Sequence, residues 1–317
     1  MTNAWRDRLA VPAVCAPMFL VSGPDLVREA CKAGLMGVLP RQNARSSERF
    51  DQWLGDIRAG LAADEAARPG VVHGPLAVNL TGRVSADDIP ANLEICARHG
   101  VEIVVSAAGD PTELTKRVHE WGGQVFHDVT TWRHAEKAIA AGVDGLVCIG
   151  SGGGGHAGTV SHLILVPRLR AIFDGTIVMA GAVAHGAAIR AAEVLGADLS
   201  YVGTRFIASD ESMAPPEYKR MLVEATSDDL VFTPFGGGGP ARWLRPSAAA
   251  LGVDLDGELA ARSKDGVRPW KDVWSAGQGV DLIEDVAPVS VLVDRLRVEY
   301  DAASAVPVRA ASAVAPG

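Results

Sequence analysis

Positive charge is in short supply. Lysine and arginine total 30 against 38 aspartates and glutamates, which leaves a net charge of −8 on 317 residues. A general nucleic-acid binder needs a basic face for phosphate, so that class is excluded, although a local anion site is not. Cysteine is scarce as well. Cys15, Cys31, Cys96 and Cys148 form no CxxC pair, so zinc ribbons and thioredoxin-type redox chemistry drop out. The low count fits a reduced, cytoplasmic setting, and no metal site is expected. Long apolar runs are missing. The opening MTNAWRDRLAVP lacks the apolar stretch of a signal peptide. The longest uncharged run, 145–167, is broken by glycines, hydroxyls and two histidines and makes a poor membrane span. Aromatics supply only 5% of the chain, but hydrophobic residues supply 48%, enough for a large core.

Glycine is what the chain has in excess: 35 residues, about 11%, against roughly 7% in an average protein. They follow no triplet period, which excludes collagen. Short runs rich in Val, Ile and Leu recur at 11–15, 36–39, 76–79, 102–105, 124–127, 145–149, 177–179 and 199–202. They lack polar alternation, as strands buried on both faces do. Helical patterns separate them at 24–33, 47–62, 86–98, 111–121, 131–141, 160–173, 184–195 and 215–224. Eight repeated βα units predict an α/β fold, a (β/α)8 TIM barrel, with a doubly wound open sheet as the alternative. Residues 1–226 with 276–300 form the predicted barrel, its last helix at 280–296. The turn-rich 227–275 is expected to make a small C-terminal lid subdomain, and 301–317 a flexible tail.

Chemistry in such a barrel sits just after each strand. The first strand ends in Ala16-Pro17-Met18 and the third at Asn79. The fifth ends in His127-Asp128, of which at most one can face the barrel axis, since side chains alternate. The sixth runs into Gly150-Ser151-Gly152-Gly153-Gly154-Gly155-His156. That loop formally contains the G-x-G-x-x-G dinucleotide pattern, with Asp174 downstream, but no clear helix opens at its last glycine. The alternative is backbone able to approach a flat ligand closely and deliver one histidine. An imidazole titrating near neutrality makes His156 the candidate catalytic base. Loops at Gly181-Ala182 and, after Val202, at Gly203-Thr204 stand where phosphate-binding barrels hold their anion.

Taken in order, APM at 16–18, VNL at 78–80, AGVDGLVCIGSGGGGHAG at 141–158, MAGAVAHG at 179–186, LGADLSYVGTRFIASDES at 195–212 and GQGVDLI at 277–283 resemble the nitronate monooxygenase (2-nitropropane dioxygenase) family. The resemblance implies an FMN-containing TIM barrel that oxidises alkyl nitronates with O₂ to carbonyl compounds and nitrite. It implies a small-molecule substrate and neither a nucleic-acid nor a membrane partner. By the same match His156 lies over the flavin, and Gly181, Gly203 and Thr204 hold the phosphate. The other implied flavin contacts are Ala16, Pro17, Met18, Asn79, Asp128, Gly154, Gly155, Ala182 and Val202. The sequence departs from its relatives at four positions around these loops. Many relatives have lysine where Asp128 stands, and they commonly have glutamine for Ile149, a second glycine for Ala182 and glutamate for Gly152. A carboxylate opposes an anionic flavin unless it is paired or protonated.

Relatives on the same scaffold keep two alternatives open. One is an NAD(P)H-dependent FMN reductase of enoyl thioesters or quinones. The other is a catalytically silent flavin-binding protein.

Overall fold

The computed structural model describes residues 4–81, 88–236, 239–256 and 266–305. The start of the 86–98 helical pattern, part of 227–275 and the end of the 301–317 tail lie outside the described residues. The strands are β1 (Ala13–Cys15), β2 (Met36–Pro40), β3 (Leu76–Thr81), β4 (Ile103–Ala107), β5 (Gln124–Val129), β6 (Gly145–Ile149), β7 (Gly155–His156), β8 (Thr176–Ala180), β9 (Leu199–Val202), β10 (Leu230–Pro234) and β11 (Pro240–Leu244). The helices are α1 (Pro24–Lys32), α2 (Ser47–Ala67), α3 (Asp88–Arg98), α4 (Thr112–Glu120), α5 (Trp132–Ala140), α6 (His162–Arg170), α7 (Gly186–Leu195), α8 (Thr204–Ile207), α9 (Pro216–Glu224), α10 (Arg245–Ala249) and α11 (Val289–Ser304).

Strands β1 to β6, β8 and β9 pair in parallel, and β9 returns to β1, closing an eight-stranded barrel. The closed ring replaces the open-sheet alternative. Alternation along each strand divides the apolar side chains into two cores. Val14, Met36, Val38, Ala77, Ile103, Val105, Phe126, Val147, Val178 and Leu199 fill the barrel. Cys15, Leu39, Val78, Val104, Val125, Leu146, Ile177 and Val202 face the surrounding helices. The helices start where a hydroxyl can take an orphan amide: Ser46 accepts from Arg49 N–H and Thr131 from His134 N–H. Helix α7 stops at Gly196, whose φ of 103° is open to glycine.

The C-terminal part differs from the 280–296 pattern. A short 3-10 turn spans Gln278–Leu282, and the helix begins only after Pro288 and runs to Ser304. Proline lacks an N–H and forces the residue before it into extended backbone, so the helix cannot start earlier. The segment 301–304 is therefore helix rather than tail.

The N-terminal end of the barrel is stoppered by the turn that carries Trp5 and Arg6. Trp5 is buried edge-on against Phe126 at 6.1 Å, and its indole N–H donates to Gln124 Oε1 at 2.8 Å. Arg6 reaches Asp198 at 3.0 Å and Thr176 Oγ1 at 3.1 Å. A second sheet lies beyond the barrel, in the order β10-β11-β7. Around it Phe235, Ala241, Trp243, Ala248, Leu255 and Val273 make a small core of their own.

Candidate active site

The C-terminal mouth of the barrel collects the loops that follow the strands. Ala16 N–H donates to Val202 O at 3.0 Å, which ties the β1 loop to the β9 loop. A Cβ built on Gly203 would lie 3.7 Å from Ala16 Cβ and 3.8 Å from Met18 Sδ, in ordinary contact. Ser22 Oγ accepts from Met18 N–H and so fixes the turn. Asn79 is buried on the inner face of β3, and its amide donates to Val105 O at 3.2 Å. Val202 differs from the rest of the set. Its side chain belongs to the outer core, so it offers the mouth no side-chain atom.

Three glycine-bearing segments meet backbone to backbone. A Cβ on Gly181, where φ is 122°, would come within 2.8 Å of Gly153 N. A Cβ on Gly154 would come within 2.7 Å of Gly277 N. Gly277 N–H in turn donates to Thr204 Oγ1 at 2.9 Å, and Gln278 N–H to Gly152 O at 2.9 Å. No side chain larger than hydrogen fits these crossings without moving backbone. The N–H groups of Gly181, Ala182 and Gly203 make no hydrogen bond to another described residue. Thr204 Oγ1 accepts one bond and retains its own proton to donate. Unpartnered N–H groups on neighbouring loops, with a hydroxyl among them, can serve an anion. Ala182 stands in the left-handed region, with φ of 57°, a cost of about 1 kcal/mol for a residue with a Cβ.

Of the pair at the end of β5, Asp128 faces the axis. His127 points outward, where its Nδ1 shares a proton with Ser106 Oγ at 2.7 Å, and burial lowers its pKa. Asp128 Oδ1 is buried with no hydrogen-bond partner among the described residues, and so is Tyr201 Oη. Burial alone lifts the Asp128 carboxyl from 3.8 to about 7. Tyr201 is pushed well above its ordinary value by burial first and by Asp128 second.

The glycine loop does not open a helix, as a dinucleotide fingerprint requires. Instead Gly155 and His156 form β7 and pair antiparallel with Arg242 and Ala241 of β11. The His156 side chain is exposed, with its ring centroid 5.0 Å from that of Trp270. Trp270 continues to Trp243 at 4.8 Å and Phe235 beyond it, an aromatic wall beside the imidazole. Arg242 Nη1 donates to Gly153 O at 2.8 Å, pinning the loop from the other side. Under the loop, His162 Nε2–H donates to Ala180 O at 2.8 Å.

Tyr201, Arg242, Trp270 and Gly277 were not among the expected site residues. Tyr201 carried a signal, because it shares the parity of inner-facing Leu199. Arg242 and Trp270 reach the site through tertiary pairing, which no local pattern announces.

The family model for nitronate monooxygenase matches residues 6–299. A (3aS,4S,5R,7aS)-5-hydroxy-7a-methyl-1-oxo-octahydro-1H-indene-4-carboxyl-CoA dehydrogenase from Mycobacterium tuberculosis is 31% identical over 237 residues, covering 74% of this chain and 63% of that protein. A nitronate monooxygenase from Neurospora crassa is 29% identical, over 71% of this chain and 68% of its own. The structure of FabK from Thermotoga maritima superposes with a TM-score of 0.77 at 25% identity, covering 95% of this chain and 96% of that one. The chain spans less than two thirds of several curated relatives it matches, at 63%, 41% and 62% of their lengths.

Proposed function

Because the chain belongs to the nitronate monooxygenase family, we propose that it is an FMN-dependent oxidoreductase of alkyl nitronates and nitroalkanes, using O₂ and releasing carbonyl compound and nitrite. The observation that carries the reading is the cradle at the mouth. The N–H groups of Gly181, Ala182 and Gly203 stand without protein acceptors beside the Thr204 hydroxyl. The residues fit a flavin phosphate: they offer unpartnered N–H groups and a hydroxyl proton, and at Gly181 a Cβ would close on the backbone of Gly153. FMN, when bound, supplies the electron-transfer chemistry that no side chain of the site provides.

The chain's own residues do the rest. Gly181, Ala182, Gly203 and Thr204 hold the phosphate. Ala16, Pro17, Met18, Asn79, Gly154 and Gly155 support the ring system. His156 takes the α-proton of a neutral nitroalkane and delivers the nitronate. Trp270 orients the imidazole and screens it from water on one side. In this reading residues 227–275 cover the mouth and the barrel comprises 1–226 with 276–300.

Purified protein is expected to release FMN on denaturation, and anaerobic nitronate to bleach the bound flavin. Colourless protein that cannot be reconstituted with FMN would remove the reading. A second reading, an NAD(P)H-dependent reductase of enoyl thioesters, is favoured by the relative named as an indene-carboxyl-CoA dehydrogenase and by the likeness to FabK. Fast anaerobic reduction by NADH or NADPH, with none by nitronate, decides for it.

A further inference from the structure

Tracing strand parity around the barrel leaves two titratable side chains at its upper interior, Asp128 on β5 and Tyr201 on β9. The inner-facing neighbours on the strands beside Asp128 are Val105 on β4 and Val147 and Ile149 on β6. Asn79 on β3 is neutral and already donates to Val105 O. His127 faces the opposite side of the sheet, and Arg6 is held by Thr176 and Asp198 at the far end of the barrel. No ion pair to Asp128 is present among the described residues. Asp128 is half-buried, and its Oδ1 lies among apolar side chains with no donor and no cation, which disfavours the ionised form and favours the protonated one. Its one polar companion, the Tyr201 hydroxyl, keeps its own proton and equally lacks a partner.

We infer that Asp128, as a neutral carboxylic acid, donates its proton in a hydrogen bond to the bound flavin, so that flavin affinity falls as this carboxyl ionises. The inference rests on the flavin reading above. It gives the Asp128 departure a purpose. A protonated carboxyl is a donor that pH can withdraw. The sign follows from linkage. The carboxyl titrates near pH 7 in the unliganded protein, so ligand binding to the protonated form raises that value. Affinity is then full below about 7 and lost above it.

The test titrates the apoprotein with FMN between pH 7 and 9, following quenching of flavin fluorescence. The phosphate's own second ionisation, at about 6, is complete over that range. The wild-type Kd is expected to rise toward tenfold per pH unit once the carboxyl ionises. Asp128→Asn, which keeps a donor at every pH, is expected to give a flat profile near the wild-type value at pH 7. A flat wild-type profile, or an Asp128→Asn profile with the wild-type slope, overturns the inference. Should Asp128→Asn fail to fold, the infrared C=O stretch of a protonated carboxyl in the wild-type holoprotein at pH 7 serves instead, and its absence overturns the inference. FMN that binds with no pH dependence removes this inference alone. FMN that binds at no pH removes the flavin reading and this inference with it.

Discussion

The two ends of the barrel are built from the same strands and differ in how many of their polar atoms are paired. At the N-terminal end, Trp5 donates to Gln124 and the Arg6 guanidinium is shared between Asp198 and Thr176, with only its Nε left unpartnered. At the C-terminal end, Asp128 Oδ1, Tyr201 Oη and three loop N–H groups have no described protein partner, and Ala182 is held in left-handed backbone. Buried polar groups are normally satisfied, and orphans and strain collect where a ligand completes them. The stoppered end closes the core. The end with the unpartnered loop groups is the one the proposed function uses.

The contrast can be broken by substitution, and the largest effect is expected at the stopper. Trp5→Ala empties a buried site and should cost about 3–5 kcal/mol of stability by denaturant titration. The flavin content of the folded fraction should not change. Loss of flavin along with stability would mean that the two ends are not independent. His156→Ala should do the reverse. Turnover of neutral nitroalkane is expected to drop about 10²-fold, with the melting temperature unchanged because the side chain is exposed. Preformed nitronate should be spared, and a parallel loss with nitronate would take proton abstraction away from His156.

Asp128→Asn sharpens the comparison through pH. In the unfolded chain the carboxyl ionises near 4, and in the fold it holds its proton to about 7. Wild-type stability should therefore decline as pH rises across that window, by up to about 1.4 kcal/mol per unit. The asparagine variant of the apoprotein should match it below about pH 4, gain on it up to about pH 7, and hold a constant lead above that. A difference independent of pH would place the carboxyl in water. The smallest effect is expected from Ala182→Gly. Relief of left-handed backbone is worth about 1 kcal/mol, offset in part by glycine's greater freedom when unfolded. A slightly higher melting temperature would confirm the strain, and a lower one would deny it.

Most of the barrel could be read from the chain because its strands are buried on both faces. Runs rich in Val, Ile and Leu at 36–39, 145–149 and 199–202 mark β2, β6 and β9 nearly to the residue. The helix ends were legible where local chemistry sets them, as at Gly196. They were not legible at 280–296, where apolar spacing ran through Pro288 as if it were absent. The site was half visible. Gly181, Gly203 and Thr204 fall directly after strands, so their place follows from the repeat. Side-chain parity restricted His127 and Asp128 to one inward residue, and only the register showed which. By the same rule the Val202 side chain points outward, to the helices. Trp270 and Arg242 depend on which strand pairs with β7, a long-range choice with no trace in a two-residue run.

That pairing has a bearing on engineering. His156 is one rung of a ladder whose opposite rail is β11, with Ala241 as its partner. Because side chains alternate with a period of two, a slip of a single residue along that rail turns the imidazole to the other face. The glycine-histidine loop is consequently not a portable cassette. Transplanted without the 230–244 hairpin it loses the address that tells the histidine where to point, and an insertion in that hairpin acts as a mutation of His156.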